Sequence, residues 1–164
     1  MRLNDLSFRL RPACPGDETA LFALVKELAE YEKLTDAVTG SAAALAEHLF
    51  GAAPCIEAVI AEVEAEAVGF ALFFRNYSTF LTKPGLYLED LYVQPGYRGR
   101  GIGRALIVHL ARLAVERGYG RLEWSVLDWN APAIGFYTHL GADVLPNWRL
   151  CRVSGASLTR LAAV

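Results

Sequence analysis

The first part of the chain contains apolar stretches of two different periods, which predict two helices and three strands. Apolar residues recur at helical spacing from Leu21 to Leu28, after the N-cap residue Asp17, so a helix is expected to run to about Tyr31. A second helix is predicted at residues 41–50, and strands are predicted at residues 7–11, 56–63 and 67–74. Only residues 64–66 separate the last two strands, which predicts a hairpin.

The strand predicted at residues 86–93 differs from the others because it carries two carboxylates, Glu89 and Asp90, among apolar neighbours. Pro95 and Gly96 follow and end it. Simple alternation would divide the strand into two faces. One face would carry Leu86, Leu88, Asp90 and Tyr92, and the other would carry Tyr87, Glu89, Leu91 and Val93.

The elements around this strand complete a mixed α/β order. Residues 76–85 are predicted to be a loop long enough to help cover a site. A helix is expected from Ile102 to near Gly118, followed by a strand at residues 121–127, and this spacing predicts a right-handed parallel crossover. A helix at residues 131–140, a final strand at 148–153 and a tail at 158–164 are predicted beyond it. The fold class is therefore α/β around one mixed sheet.

The composition indicates one globular domain. The chain has 164 residues, 54% of them hydrophobic, so it can bury a core. We expect a single domain over residues 1–164 with a loose tail at residues 1–5. A net charge of −2 gives no basic surface for nucleic acid and is compatible with a cationic substrate. The notable apolar run, residues 67–74, is too short to cross a bilayer, and no signal peptide is evident, so a cytoplasmic protein is expected.

The cysteines and histidines do not form a recognisable metal or disulfide pattern. Cys14, Cys55 and Cys151 are an odd, scattered set without a C-x-x-C motif. The three histidines show no H-x-x-x-H pairing. Neither a metal site nor a disulfide framework is therefore expected.

The third helix begins with a glycine-rich run, Arg98-Gly99-Arg100-Gly101-Ile102-Gly103. Alternating glycines allow a tight turn and let a ligand approach the backbone N–H groups. A helix N-terminus has unsatisfied donors and positive dipole character, and two arginines frame this one. A strand, a glycine-rich turn and a helix together predict a pyrophosphate site.

Several known types of glycine-rich loop bind pyrophosphate, and they differ in the spacing of their glycines. A P-loop needs G-x-x-x-x-G-K-[S/T], which does not occur. A dinucleotide fold needs G-x-G-x-x-G, whereas the spacing here is G-x-G-x-G, although Glu123 lies near the ribose-binding spacing. The R-x-x-G-x-G loop of acetyl-CoA-dependent N-acetyltransferases matches at Arg98, Gly101 and Gly103. An ordinary glycine-rich turn is the remaining alternative for the loop taken alone.

Further motifs extend the match with the acetyltransferases along nearly the whole chain. In order they are the acidic strand at 87–93, the loop at 98–103, the crossover helix, VLD at 126–128, WN at 129–130, and FY at 136–137 followed by LGA at 140–142. Together they resemble the GNAT superfamily. Residues 27–34, 126–130 and 148–150 further resemble the diamine (spermidine/spermine) acetyltransferase family and, within it, the thialysine N-acetyltransferase branch.

This resemblance implies a single GNAT-type domain whose mostly antiparallel sheet splays at a central parallel pair, with helices on both faces. Acetyl-CoA is the implied co-substrate, and its pantetheine arm would pair with the backbone of Leu91, Tyr92 and Val93. The pyrophosphate would rest on Arg98, Gly99, Arg100, Gly101, Ile102, Gly103 and Arg104. Asn130 and Ala133 would meet the other side of the cofactor.

The resemblance also implies the catalytic roles. Glu89 would accept the amine proton through water, and Tyr137 would donate a proton to the coenzyme A thiolate. Tyr31 and Glu32 match positions that contact the distal amine, and Glu89 and Asp90 complete the substrate-binding set. Without the motifs, Glu89 could equally be a charge at a strand edge, and Tyr137 would more often be core packing.

The implied function is direct acetyl transfer to a primary amine of a polyamine, thialysine or related ω-amino acid. Members of the family are usually dimeric, so a homodimer is expected. No cysteine lies at a motif position that could carry a covalent intermediate. An alternative is acetylation of a protein lysine or N-terminus, which would require an extended acceptor groove. Another is an acetyl-CoA-binding sensor without turnover, which the presence of both Glu89 and Tyr137 disfavours.

Overall fold

The structure is a computed structural model that describes residues 7–164. The loose tail expected at residues 1–5 lies outside the described residues. The internal contacts divide the chain into two units, one ending at Ser125 and the other formed by Val126–Val164.

The first unit is built on a sheet of five described strands. They are β1 (Arg9–Pro12), β2 (Glu57–Val63), β3 (Glu66–Ser78), β4 (Lys83–Val93) and β5 (Leu122–Trp124), and they lie in this order across the sheet. Neighbouring strands are antiparallel except β4 and β5, which are parallel. The mixed, mostly antiparallel sheet and the parallel pairing of the strands on either side of the third helix are therefore confirmed.

The four predicted helices agree with the periodicity to within a few residues, whereas a fifth helix lies where only a tail was expected. The first unit contains α1 (Glu18–Tyr31), α2 (Ala42–Phe50) and α3 (Ile102–Glu116), with short 3₁₀ turns at Thr35–Ala37 and Pro95–Tyr97. The second contains α4 (Ala131–His139) and α5 (Gly155–Ala162). The hydroxyl of Ser41 accepts the N–H of Ala44 and caps α2, whereas the carboxylate of Asp17 pairs with Arg11 and does not cap α1.

Helices cover both faces of the sheet. Leu21 and Leu24 of α1 pack with Ile60, Phe70 and Leu72 on one face. The strand residues that alternate with Ile60, Phe70 and Leu72 are also buried. Helix α3 packs on β2, β3, β4 and β5. Because successive side chains of a strand point to opposite faces, α3 covers the face opposite α1.

One extra residue in β4 changes which side chains share a face. Asp90 pairs with Leu72 and Leu88 pairs with Phe73, so Glu89 has no opposing residue in β3. Such a β-bulge reverses the facing of the residues that follow it. Asp90 therefore lies on the α1 face and Leu88 lies on the α3 face. The prediction from simple alternation that these two residues share a face was wrong.

The connection between β3 and β4 is much shorter than predicted. The strands continue to the pair Ser78 and Lys83, so most of residues 76–85 is paired hairpin, and the prediction of a long loop there was wrong. Polar residues and a proline suggested a loop, but pairing across the hairpin outweighs these local preferences. Tyr77, Phe80 and Leu81 are exposed near the hairpin tip.

The prediction of a final strand at residues 148–153 was also wrong. The second unit, all of which is described, has no strand, and its last element is α5. A β-prone stretch becomes a strand only when a neighbouring strand offers its backbone for pairing. The parallel pair of β4 and β5 accordingly lies at one side of the described sheet and not at its centre.

Candidate active site

The backbone of β4 projects beyond its parallel neighbour. The pairing of β4 with β5 is limited to Leu86, Tyr87 and Leu88, while β4 continues to Val93. Beyond Leu88 the β5 side of β4 therefore has no paired strand within the described residues. A strand edge of this kind can form a ladder with an extended ligand that carries amide groups. The expected cofactor segment, residues 91–93, lies in this open part.

The glycine-rich loop has the geometry of an anion site. Gly99 and Gly101 have φ values of 75° and 83°, in the left-handed region that glycine adopts without strain. Gly101 is the N-cap of α3, so the N–H groups of the first helical turn, beginning at Ile102, have no intrahelical acceptor. They form a concentrated set of donors where the helix dipole favours negative charge.

The side chain of Arg100 adds an unused donor to this loop. Its guanidinium lies over the ring of Tyr97, 5.6 Å from the centroid, while its buried Nη1 has no hydrogen-bond partner among the described residues. An enclosed cationic donor without an acceptor is costly unless a ligand supplies one. The open edge, the left-handed glycines and this donor fit a ligand with amides and a diphosphate, as acetyl-CoA has.

Three carboxylates lie close together beside the bulge. Glu89 is exposed at the bulge, and Asp90 is half-buried on the α1 face. Burial, together with the negative charges of Glu89 and Glu32, raises the pKa of Asp90 to about 6. Burial also raises the pKa of Glu32, which directly follows α1. None of the three forms a salt bridge within residues 7–164. The trio of Glu32, Glu89 and Asp90 is called the acidic cluster below.

Side chains join the end of α1 to the end of β4, and two of them, Glu27 and Gln94, were not among the predicted site residues. The hydroxyl of Tyr92 donates to Glu27 at 3.2 Å, and the amide of Gln94 donates to the other oxygen of Glu27 at 3.0 Å. The guanidinium of Arg98 lies over the ring of Tyr31, with 4.8 Å between its carbon and the centroid. The available signal was spacing, because Glu27 lies one helical turn before Tyr31 and shares its face.

The remaining predicted site residues lie in the second unit. The side-chain oxygen of Asn130 accepts the N–H of Ala133 at 3.3 Å, so Asn130 caps α4, and it is 7% exposed. Tyr137 lies in the last turns of α4, half-buried beside Phe136. In the first unit the predicted site residues form two groups, the acidic cluster and the residues around Arg98. The predicted residues of the second unit lie in or next to α4. The roles assigned to these residues stay predictions.

Other chemistry is not indicated by the described residues. Cys14, Cys55 and Cys151 are all exposed. Nowhere in residues 7–164 do three or more His, Cys, Asp or Glu side chains group in a way that could hold a metal ion. No described helix has the length and apolar character needed to cross a membrane.

Known proteins resemble this chain along most of its length. The Acetyltransferase (GNAT) family matches residues 22–142. The thialysine N-epsilon-acetyltransferase of Bos taurus is 38% identical, with 93% of this chain and 96% of the relative aligned. The L-ornithine N5-acetyltransferase NATA1 of Arabidopsis thaliana is 31% identical, with 92% of this chain and 86% of the relative aligned.

Solved structures share the fold. An integron cassette protein from the mobile metagenome of V. cholerae superimposes with a TM-score of 0.81 at 26% identity, over 96% of this chain and 99% of its own. An aminoglycoside N-acetyltransferase solved with CoA has a TM-score of 0.72 at 21% identity, over 90% and 95%. Since one family covers most of the sequence and its curated relatives align over nearly the full length, the chain belongs to the acetyltransferase (GNAT) family and is an acetyl-CoA-dependent N-acetyltransferase.

Proposed function

We propose that the protein acetylates a primary amine of a small cationic molecule, such as a polyamine, thialysine or a related ω-amino acid. The observation that carries this proposal is the acidic cluster, whose three carboxylates have no salt-bridge partner in the described chain. A ligand with more than one amine would supply the missing positive charge. The relatives named for thialysine and for ornithine support a small amine as the acceptor.

Acetyl-CoA would supply the activated acetyl group, and two features of the first unit would hold it. The open edge of β4 at Leu91, Tyr92 and Val93 would pair with the pantetheine amides. The loop from Arg98 to Arg104 would bind the diphosphate through backbone N–H groups and through the unpaired Nη1 of Arg100. Asn130 and Ala133 stay predicted cofactor contacts.

The acceptor amine must lose a proton before it can attack. A free alkyl amine has a pKa of about 10.4, so it arrives as a cation. The acidic cluster attracts this cation but also stabilises its protonated form, so a nearby group must accept the proton. Glu89 is suited to this role through water, because it is exposed at the bulge. Tyr31, Glu32 and Asp90 would bind the rest of the acceptor.

The departing thiolate needs a proton, which we assign to the hydroxyl of Tyr137. Transfer would occur by direct attack of the amine with both substrates bound. Cys14, Cys55 and Cys151, the only cysteines in the sequence, lie outside the motifs, so a covalent acyl-enzyme is not part of the proposal. No metal is assigned a role, and a cytoplasmic location and independence from membranes and nucleic acid stay predictions from the sequence.

We also propose that the protein is a homodimer. Apolar side chains near the C-terminus are exposed in the single chain: Val144, Leu145, Trp148, Leu150, Val153, Leu158 and Leu161. An apolar stretch of this length is typical of a surface covered by a partner. Light scattering should give about twice the chain mass of 17.9 kDa, and a monomer at micromolar concentration would exclude the proposal.

The acceptor class can be tested by acetyl-CoA-dependent release of thiol with a panel of amines. Diamines and ω-amino acids should exceed a monoamine of equal length by at least about tenfold in kcat/KM, because each additional charge interacts with the acidic cluster. A peptide lysine that outperforms every small amine would instead establish protein acetylation. Binding of CoA without turnover of any amine would indicate a sensor.

The substitution Glu89→Gln tests the proton acceptor. Turnover of the best amine should fall by roughly 10²-fold, and the loss should shrink as the pH rises because more of the amine is then already neutral. Glu64→Gln is a matched control, since it removes the same charge from the turn between β2 and β3 and should leave turnover unchanged. A variant whose pH profile runs parallel to that of the parent with little loss would make Glu89 a structural charge.

The substitution Tyr137→Phe tests the proton donor while keeping the ring. We expect kcat to fall by about 10- to 10³-fold with nearly unchanged affinity for acetyl-CoA. The loss should be incomplete, because thiols have a pKa of about 8.5 and water can donate the proton. Tyr77→Phe on the exposed hairpin should keep full activity. Retention of more than about half of kcat, with an unchanged thermal melt, would remove Tyr137 from catalysis.

A further inference from the structure

The side chain of Arg98 makes three contacts that point away from a simple role in phosphate binding. Its Nε donates to the carbonyl oxygen of Val93 at 2.8 Å. Its guanidinium carbon lies 4.8 Å from the ring centroid of Tyr31 and 5.5 Å from that of Tyr92. A guanidinium over aromatic faces and bonded to a carbonyl is held in a defined orientation.

These contacts join three parts of the proposed site. Val93 ends the open edge of β4, Arg98 begins the glycine-rich loop, and Tyr31 ends α1, directly before Glu32 of the acidic cluster. The contact between Tyr92 and Glu27 fixes the preceding turn of α1 to the same strand. The last turn of α1 is therefore held by side chains of β4 and of the loop.

The side chain of Arg100 makes different contacts from that of Arg98. Its ring contact is with Tyr97, within the loop region itself, and its Nη1 has no partner in the described chain. Arg100 is thus available for an anion, whereas the side chain of Arg98 is already engaged with Val93, Tyr31 and Tyr92. The two arginines provide a matched pair for separating phosphate binding from positioning.

We propose that Arg98 is a positioning residue that couples the cofactor loop to the acceptor site. The CoA diphosphate stabilises the loop conformation in which Arg98 makes these contacts, and through them Arg98 holds Tyr31 and Glu32 in the arrangement that binds the amine. Coupling of two binding sites is reciprocal, so CoA increases the affinity for the amine and the amine increases the affinity for CoA by the same factor. The inference rests on the proposed function, because it assigns the amine to the acidic cluster.

The first test measures this coupling by calorimetry with CoA and the best amine of the panel. In the parent protein, saturating CoA should increase amine affinity by about fivefold or more. Arg98→Lys keeps the charge but loses the planar guanidinium and the Nε donor, so the coupling should fall below about twofold whatever the change in CoA affinity without amine. Arg100→Gln should weaken CoA binding by about tenfold and leave the coupling intact.

The opposite pattern would overturn the proposal. If Arg98→Lys or Arg98→Gln weakens CoA binding but leaves the coupling at the parent value, Arg98 is a phosphate ligand and does not position the acceptor site. A parent protein whose amine affinity is independent of CoA would also exclude it.

A second measurement requires no acceptor and so separates this inference from the proposed function. Hydrogen exchange at residues 28–38, the end of α1 and the following turn, should slow when CoA is added to the parent protein and should not slow in Arg98→Lys. Loss of this protection in the variant supports the coupling even if no amine in the panel is acetylated. Equal protection in both proteins, or none in the parent, would overturn it.

Discussion

The additional residue in β4 is the constraint on which the acidic cluster depends. Without the bulge, Asp90 would share the face of Leu88 and lie beneath α3, where no other member of the cluster is found. With it, Asp90 lies on the α1 face, and Glu89 projects from the bulge itself. The position of the proposed proton acceptor thus follows from strand register, as is common for bulges beside active sites.

This arrangement has a thermodynamic cost. The pKa of Asp90 is raised to about 6 in the folded protein, above the ordinary value for the unfolded chain. The folded protein is therefore more stable when the carboxyl of Asp90 is protonated. This contribution to the free energy of unfolding is present at low pH and is lost as the pH rises through about 6. At neutral pH the protein retains an ionised group that destabilises the fold, which is the pattern expected if Asp90 serves the proposed amine site.

The elements with strong periodicity could be predicted from the sequence, and those set by pairing between strands could not. The stripe from Leu21 to Leu28 predicted α1 because a helix is a local structure. The bulge at Glu89 leaves no trace in composition, since shifting the register by one residue changes the neighbours and not the sequence. The strand predicted at residues 148–153 depended on a pairing edge that the pattern cannot supply.

Some residues of the candidate site could likewise be predicted from the sequence, and others could not. The loop around Gly101 was readable because left-handed backbone requires glycine, and the neighbouring carboxylates Glu89 and Asp90 were conspicuous in an apolar strand. Including Glu32 needed the resemblance to a family, because it lies far away in the sequence. The contact between Arg98 and Tyr31 depends on how α1 packs against β4, and only the structure contains that information.

The carboxylates of the first unit fall into two groups, one with lowered and one with raised pKa values. Glu62 is shared by Arg9 and Arg11, and Asp17 is bound by Arg11, so the pKa of each carboxyl is lowered, chiefly by arginine hydrogen bonds. In Asp90 and Glu32 the pKa is raised instead, first of all by burial. The same chain thus pairs Glu62 and Asp17 with arginine and leaves Glu32, Glu89 and Asp90 without a salt bridge in the described residues. A group of like charges without salt bridges, two of them partly buried, is unfavourable in the free protein, and the binding of a cation there would relieve the repulsion.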